Sequence, residues 1–337
     1  MNMTSILYDS HTNSVVTLSL PSTQPTSQNG SIQLRNPLSF DTIVEIPLHL
    51  SEYPLCGIIA PLYQLPLTGE PTYYFIVGTA FVLPKESEPT SGRLLLFQIT
   101  SSTLSQVCEI SINGGCFSLA SYQGKLVAGI NSEICIYDYD ETTCTLQKLH
   151  SEESNICITR LSVNEADKTI AVGDSLRSVS LYHCTVEALC GRQLAQLELT
   201  ASERSRRSII ALTRVVDHPS SLLLSDASGN IIVLDAMKES DLDRTNPQQC
   251  LVVKEWFHLD DQVNQFVPIS LFQMNKAQND QKQEEDVSHS AIDFNMMFCT
   301  ITGRIGAIGS IDDKEYTLLQ AIEKSINKVV LLVLDDI

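Results

Sequence analysis

The sequence predicts an all-β protein, a β-propeller followed by a C-terminal amphipathic helix. Three observations lead to this fold class: many short strand-like runs, turn residues between them, and no alternating helical segments. We count roughly 22 to 24 runs, spaced about 8 to 14 residues apart, which is too many for a single barrel or sandwich. With about four strands per blade, these runs make about five or six blades.

The strand-like runs are rich in β-branched, aromatic and other apolar residues, the composition that favours strands. Examples are SVVTLSL (14–20), TIVEIPL (42–48), YYFIVGTAFV (73–82) and RLLLFQI (93–99). Turn chemistry separates the runs, as at Gly114-Gly115, Gln123-Gly124, Asp167-Lys168 and Ser228-Gly229-Asn230. Hairpins of this kind build antiparallel sheets.

The domain organisation follows from where this pattern stops. We assign residues 1–314 to the propeller, with polar loops at 21–37 and 275–290 that have little to bury. Residues 315–330 form an amphipathic helix that we expect to pack on the propeller, and 331–337 form a tail. The apolar stripe of the helix is Leu318, Leu319, Ile322, Ile326 and Val329.

The charge balance restricts the function. The chain has 22 Lys and Arg residues against 40 Asp and Glu residues, a net charge of −18. This excess of acid argues against direct nucleic-acid binding, which depends on cations at phosphates, and against adsorption to anionic membranes. No apolar run approaches the roughly 20 residues of a membrane-spanning helix, so we expect a soluble, intracellular protein.

Catalytic and metal-binding patterns are absent from the sequence. The ten cysteines include no C-x-x-C pair, and most lie in apolar runs, which predicts reduced, structural thiols. The seven histidines are scattered, and no G-x-S-x-G, P-loop or H-E-x-x-H motif occurs. We therefore predict a non-enzyme with no catalytic, metal-binding or cofactor-binding residue and no cofactor. A propeller enzyme is the less favoured alternative.

Two polar segments are candidates for contact with a partner. Arg204, Arg206 and Arg207 form the one basic cluster of an acidic chain, which fits either an acidic partner or a solvated loop. Asp174 and Arg177 flank a turn before a strand, a pattern typical of an Asx-type turn. Turns of this kind line one face of a propeller.

Several strings together resemble a known scaffold family. They are YYFIVGTAFVLPKESEPTSGR from Tyr73, GKLVAGINS from Gly124, VGDSLRSVSLY from Val172, WFHLDDQVNQF from Trp256 and ITGRIGAIGSI from Ile301. The strings occur in the same order as in the family and span roughly residues 43–330. They resemble a superfamily with three kinds of member: the large subunit of the UV-damaged-DNA-binding complex, that of a polyadenylation factor and that of a splicing factor. The F-H-L and G-D-x-x-R-S-V strings favour the damage-binding branch.

The resemblance implies the third of three propellers in a long adaptor of cullin-RING ubiquitin ligases. We then expect a seven-blade propeller whose start is absent here, acting in the DNA-damage response in the nucleus and cytoplasm. The implied partners are substrate-receptor proteins and the other propellers of the scaffold, and any nucleic-acid binding is implied by the family alone. A scaffold in mRNA splicing or polyadenylation is the alternative.

The resemblance also points to partner-binding residues. Arg177, Val263 and Asn264 match positions of the family on its receptor-facing side. Gln262 and Gln265 stand where the family has apolar residues, and this replacement weakens a contact that depends on apolar burial. We therefore expect an altered or weaker partner at this surface.

Overall fold

A computed structural model of the chain describes residues 3–20, 29–65, 70–153, 155–189, 192–216, 218–236, 249–268, 292–311 and 313–334. These residues contain 23 strands and one helix, α1 (Asp313–Leu334). The strands form six sheets in chain order, so the predicted partial propeller with a C-terminal helix is confirmed.

The first sheet comprises β1 (Met3–Asp9), β2 (Ser14–Ser19), β3 (Ser31–Arg35) and β4 (Thr42–Pro47). The second comprises β5 (Glu52–Leu62), β6 (Thr72–Phe81), β7 (Gly92–Ile99) and β8 (Leu104–Ile112). The third comprises β9 (Cys116–Tyr122), β10 (Lys125–Ile130), β11 (Glu133–Asp140) and β12 (Thr145–Glu153).

The fourth sheet comprises β13 (Ile158–Asn164), β14 (Thr169–Asp174), β15 (Val179–Leu189) and β16 (Arg192–Ser202). The fifth comprises β17 (Ile209–Arg214), β18 (Leu222–Asp226), β19 (Asn230–Ala236) and β20 (Gln249–His258). The sixth comprises β21 (Val263–Pro268), β22 (Ile292–Thr300) and β23 (Ile305–Ile311). Neighbouring strands within each sheet are antiparallel, and a short parallel pairing of β16 with β20 joins the fourth sheet to the fifth.

The core lies between the sheets. The first strands of successive sheets contact one another in chain order, from β1 to β21. Five clusters of buried apolar side chains fill the five interfaces between consecutive sheets, which is why the inner runs are apolar on both faces. No such cluster joins the sixth sheet to the first among the described residues.

Two sequence-based expectations are wrong. Part of the polar loop predicted at 21–37 is strand β3, in which Ile32 and Leu34 are fully buried. The neighbouring polar residues are bonded inside the sheet: Gln33 Nε2 donates to Glu45 at 2.7 Å, and Arg35 Nε donates to the Thr17 hydroxyl at 3.1 Å. Hydrogen bonds within the sheet therefore satisfy the buried polar side chains that had suggested a loop. The loop predicted at 275–290 lies outside the described residues.

The second correction concerns the helix. Helix α1 begins two residues before the predicted position 315 and continues to Leu334, into the predicted tail. Leu318, Leu319, Ile322 and Ile326 are each 47–61% exposed and belong to none of the five core clusters. The amphipathic pattern identified the helix, but the expected packing on the propeller is not seen for these side chains.

Candidate partner-binding surface

One end of the propeller carries the predicted basic cluster and two of the five predicted partner-binding residues, Arg177 and Gln262. In an antiparallel sheet, the turn between the second and third strands lies at the same end as the connection to the next sheet. We call this end, across the last three sheets, the arginine surface. It comprises residues 175–178, 203–208, 227–229, 259–262 and 301–304.

The turn before β15 is held by the buried carboxylate of Asp174. Its Oδ1 accepts from the backbone N–H groups of Leu176 and Arg177 at 2.7 and 2.8 Å, which confirms the predicted Asx-type turn. Its Oδ2 accepts from the N–H groups of Ile156 and Cys157 at 2.7 and 2.9 Å, in the connection from the third sheet. Asp174 thus fixes the backbone that presents the exposed side chains of Leu176 and Arg177.

The same turn is tied to the next connection. The backbone N–H of Ser178, at φ 62°, donates to the carbonyl of Arg207 at 3.1 Å, and the Ser178 hydroxyl donates to Glu203. Arg207 lies between two carboxylates, 3.2 Å from Glu203 and 3.3 Å from Asp226. Because both carboxylates are buried, this pairing compensates their desolvation. Arg207 is therefore a structural member of the basic cluster.

Asp226 repeats the role of Asp174 one sheet later. Its Oδ1 accepts from the N–H groups of Ser228 and Asn230, both at 3.0 Å, and closes the turn before β19. In the third sheet, Asn131 Oδ1 accepts from the N–H of Gly115 at 2.8 Å. An Asp or Asn at the end of the second strand, or directly after it, in three successive sheets is a repeat that sequence reasoning missed. The strings AGIN, VGD and LSD carry the signal.

The predicted stretch 262–265 divides between the surface and the core. The Gln262 side chain donates to the carbonyl of Ala227 at 2.8 Å, which joins the connection before β21 to the turn of the fifth sheet. Val263 is fully buried in the cluster between the fifth and sixth sheets. Asn264 and Gln265 are exposed on β21, where the register shifts between Val263 and Gln265. The structure therefore gives Val263 no accessible side-chain surface.

Hydrogen bonds link the turns and connections of the arginine surface into one unit. Ser178 is bonded to Arg207, and Arg207 is bonded to Asp226. The Gln262 side chain donates to the carbonyl of Ala227, and the Gln262 carbonyl accepts from the N–H of Ile301 at 3.0 Å. Arg177 and Gln262, distant in sequence, thus belong to the same fixed end of the molecule.

The electrostatics of this end differ from those of the whole chain. The exposed charged side chains of the arginine surface are Arg177, Arg204, Arg206, Arg304 and Asp260. The other carboxylates are buried and bonded, and hydrogen bonds, first from Thr302, hold the pKa of Asp261 below its usual value. Leu176 and Ile301, 58% and 63% exposed, add apolar area. The result is a basic, partly apolar patch on a chain of net charge −18.

Metal-binding geometry is not seen in the described ranges. No group of three or more His, Cys, Asp and Glu side chains in this part of the chain is arranged to hold a metal ion. No helix within the same residues has the length and apolar character needed to cross a membrane. The described chemistry of the arginine surface is that of recognition through charge, hydrogen bonding and apolar contact.

Comparison with known proteins identifies relatives over most of the chain. The family described as the CPSF A subunit region matches residues 29–334. DNA damage-binding protein 1 of Drosophila melanogaster is 27% identical over 301 residues, covering 89% of this chain and 24% of the relative. DNA damage-binding protein 1a of Arabidopsis thaliana is 29% identical over 302 residues, covering 89% of this chain and 25% of the relative.

DNA damage-binding protein 1 of Solanum lycopersicum is 27% identical over 331 residues, covering 95% of this chain. The match covers 28% of that relative, so the chain spans about a quarter of the length of the curated relatives described here. The resemblance predicted from the sequence strings, to this superfamily and its damage-binding branch, is confirmed.

Proposed function

The chain belongs to the family of the CPSF A subunit region, and from that membership we propose that it is a non-enzymatic scaffold that binds other proteins through the arginine surface. The observation that carries the proposal is the rigid presentation of exposed arginines beside exposed apolar side chains. Buried carboxylates hold the backbone of this surface, so its arrangement exists before a partner arrives. Preorganisation of this kind lowers the entropic cost of binding.

The chemistry of the surface indicates its partner. Arg177, Arg204 and Arg206 favour a segment with acidic side chains, and Leu176 and Ile301 favour apolar ones. An amphipathic helix with an acidic flank supplies both. Gln262 and Gln265 stand where the resembled family has apolar residues, and their amides weaken burial of an apolar helix face.

The specific role we propose is that of an adaptor for substrate-receptor proteins in a cullin-RING ubiquitin ligase of the DNA-damage response. We propose that it works in the nucleus and the cytoplasm, together with the other propellers of the scaffold. Support comes from the resemblance to the damage-binding branch and from relatives named DNA damage-binding protein 1. Those names also favour this role over a scaffold in mRNA splicing or polyadenylation.

The test compares partner capture by charge variants. The purified chain is immobilised and exposed to extract from the source cells, and bound proteins are identified by mass spectrometry. Arg177→Glu places a carboxylate opposite the acidic partner and is expected to weaken capture by about tenfold. Lys168→Glu is the matched control, because Lys168 is exposed in the turn between β13 and β14 at the opposite end.

The proposal is supported if Lys168→Glu still captures the proteins that the wild-type chain binds and Arg177→Glu no longer captures them. Recovery of ubiquitin-ligase receptors supports the adaptor role, and recovery of splicing or polyadenylation factors contradicts it. Equal capture by both variants contradicts binding through the arginine surface. Thermal melting of each variant separates a lost contact from a lost fold.

A further inference from the structure

Two cysteines meet where the second sheet packs on the third. Cys56 lies in β5 and Cys116 begins β9, and these are the first strands of neighbouring sheets. The two sulfurs are 3.8 Å apart, although the residues are 60 positions apart in the sequence. The Cys56 thiol donates to the carbonyl of Cys116 at 3.2 Å, so the fold holds the two groups in register.

A glycine makes room for both sulfurs. Gly78 is the partner of Cys56 in the β5–β6 ladder. A Cβ at this position would lie 2.5 Å from Cys116 Sγ and 2.8 Å from Cys56 Sγ, far closer than atoms can approach. The absence of a Cβ at Gly78 thus leaves the space that the two sulfurs occupy side by side.

The two thiols differ in access. Cys56 is partly exposed, whereas Cys116 is fully buried. Arg160 on β13 interacts electrostatically with Cys56, so a cation lies near the accessible sulfur. Burial lowers the pKa of the Arg160 guanidinium, and its electrostatic interaction with Cys56 partly offsets this effect. A partly exposed thiol beside a cation is the environment typical of oxidation-sensitive cysteines.

We propose that Cys56 and Cys116 form a thiol-oxidation site, at which a hydroperoxide converts the pair to a disulfide that joins the second and third sheets. The hydroperoxide first transfers an oxygen atom to the Cys56 sulfur, giving a sulfenic acid and an alcohol, or water when hydrogen peroxide is used. The Cys116 sulfur then attacks the Cys56 sulfur. The S–S bond forms, the S–O bond breaks, and hydroxide leaves as water with the Cys116 proton. The thiols lose two electrons, which the peroxide gains.

The experiment uses the full chain and hydrogen peroxide. After treatment, the protein is denatured, labelled with iodoacetamide and digested, and the peptides are identified by mass spectrometry. The expected result is loss of label at Cys56 and Cys116 together, with a linked peptide that disappears after reduction. Because the new bond closes a long loop, the melting temperature of the oxidised chain should rise by roughly 5 °C.

Two variants and one condition serve as controls. Cys56→Ser should leave Cys116 labelled after peroxide treatment and abolish the temperature rise. Cys299→Ser changes an exposed thiol of β22 and should leave the linked peptide intact. Treatment in urea should remove the preference for this pair, because the fold no longer holds the sulfurs together.

Label retained at both Cys56 and Cys116 in folded, peroxide-treated protein would overturn the proposal. So would accumulation of Cys56 sulfinic acid with Cys116 still labelled, since that result means the second thiol does not reach the first. A disulfide-linked peptide that contains Cys116 in peroxide-treated Cys56→Ser would show that another cysteine pairs with Cys116, which also overturns the proposal.

Discussion

The second to fifth sheets, which are interior, and the first and sixth sheets, which are terminal, have similar strands but different surroundings. Each interior sheet packs between two neighbours, and its inner strands bury almost every apolar side chain. The first and sixth sheets each share one core cluster with a neighbour. There, Ile6, Tyr8 and Ile305 remain 57–69% exposed. The comparison teaches that burial depends on the neighbouring sheet and not on the apolar pattern of the strand.

The largest expected effect concerns a matched pair of isoleucines. Ile136 is fully buried between the third and fourth sheets, and Ile305 is 69% exposed on the sixth. Ile136→Ala should lower the free energy of unfolding by about 2–5 kcal/mol, through lost apolar burial and a cavity. Ile305→Ala should change it by less than about 0.5 kcal/mol. Urea denaturation measures the free energy of unfolding of both variants. An equal loss of stability in the two variants would contradict the distinction between the interior and the terminal sheets.

A second, smaller effect tests the polar anchor of an interior turn. Asp174→Asn replaces one carboxylate oxygen with an amide that cannot accept from the backbone N–H groups. The expected loss is about 1–3 kcal/mol, because buried donors lose their acceptor. Asp260→Asn, at an exposed position of the arginine surface, is the matched control and should be neutral. A neutral Asp174→Asn would show that this carboxylate does not hold the turn.

The third prediction uses pH to examine how the first sheet is attached to the second. Burial would raise the pKa of Glu52, but hydrogen bonds from Arg93 and Thr79, and one from the backbone of His49 between the sheets, hold it below its usual value. A lowered folded-state pKa means that the carboxylate stabilises the fold above the unfolded value of about 4.3. This stability is lost as pH falls through the folded value.

Melting temperatures measured from neutral pH down to about pH 3 test this assignment in the wild-type chain and in Glu52→Gln. The wild type should lose stability more steeply than the variant below the usual glutamate pKa. The variant should be less stable at neutral pH by about 1–3 kcal/mol, because Arg93 loses its buried charged partner and keeps only the exposed Glu109. Parallel curves would contradict the role of Glu52.

The smallest effect is expected in helix α1. Leu319 is 52% exposed and lies outside the core clusters, so Leu319→Gln should change the free energy of unfolding by less than about 0.5 kcal/mol. Circular dichroism and urea denaturation check that the helix and the sheets are retained. A loss comparable to that of Ile136→Ala would mean that the helix packs on the propeller, as its sequence pattern alone suggested.

These cases also show what the sequence could predict. Alternating and apolar runs located most strands, because strand formation is encoded locally. The pattern did not reveal β3, whose polar side chains Gln33 and Arg35 are paired within the sheet. Nor could it reveal that helix α1 leaves Leu318, Leu319, Ile322 and Ile326 exposed, since that depends on distant partners.

The candidate site was predictable in part. The G-D-x-x-R string predicted the turn that presents Arg177, because an Asx-type turn depends on adjacent residues. The burial of Val263 and the pairing of Arg207 with Asp226 depend on contacts between sheets, which one sequence does not reveal. The family resemblance supplied positions, and the fold decides which of them have exposed side chains.

The central claim is that a protein partner binds the arginine surface. Hydrogen–deuterium exchange, with and without a partner obtained by capture, tests it most directly. We predict slower exchange at 175–178, 204–206 and 301–304, with no change at the opposite end, in the turns at 141–144 and 165–168. Protection confined to the opposite end, or none at the arginine surface, would contradict the claim.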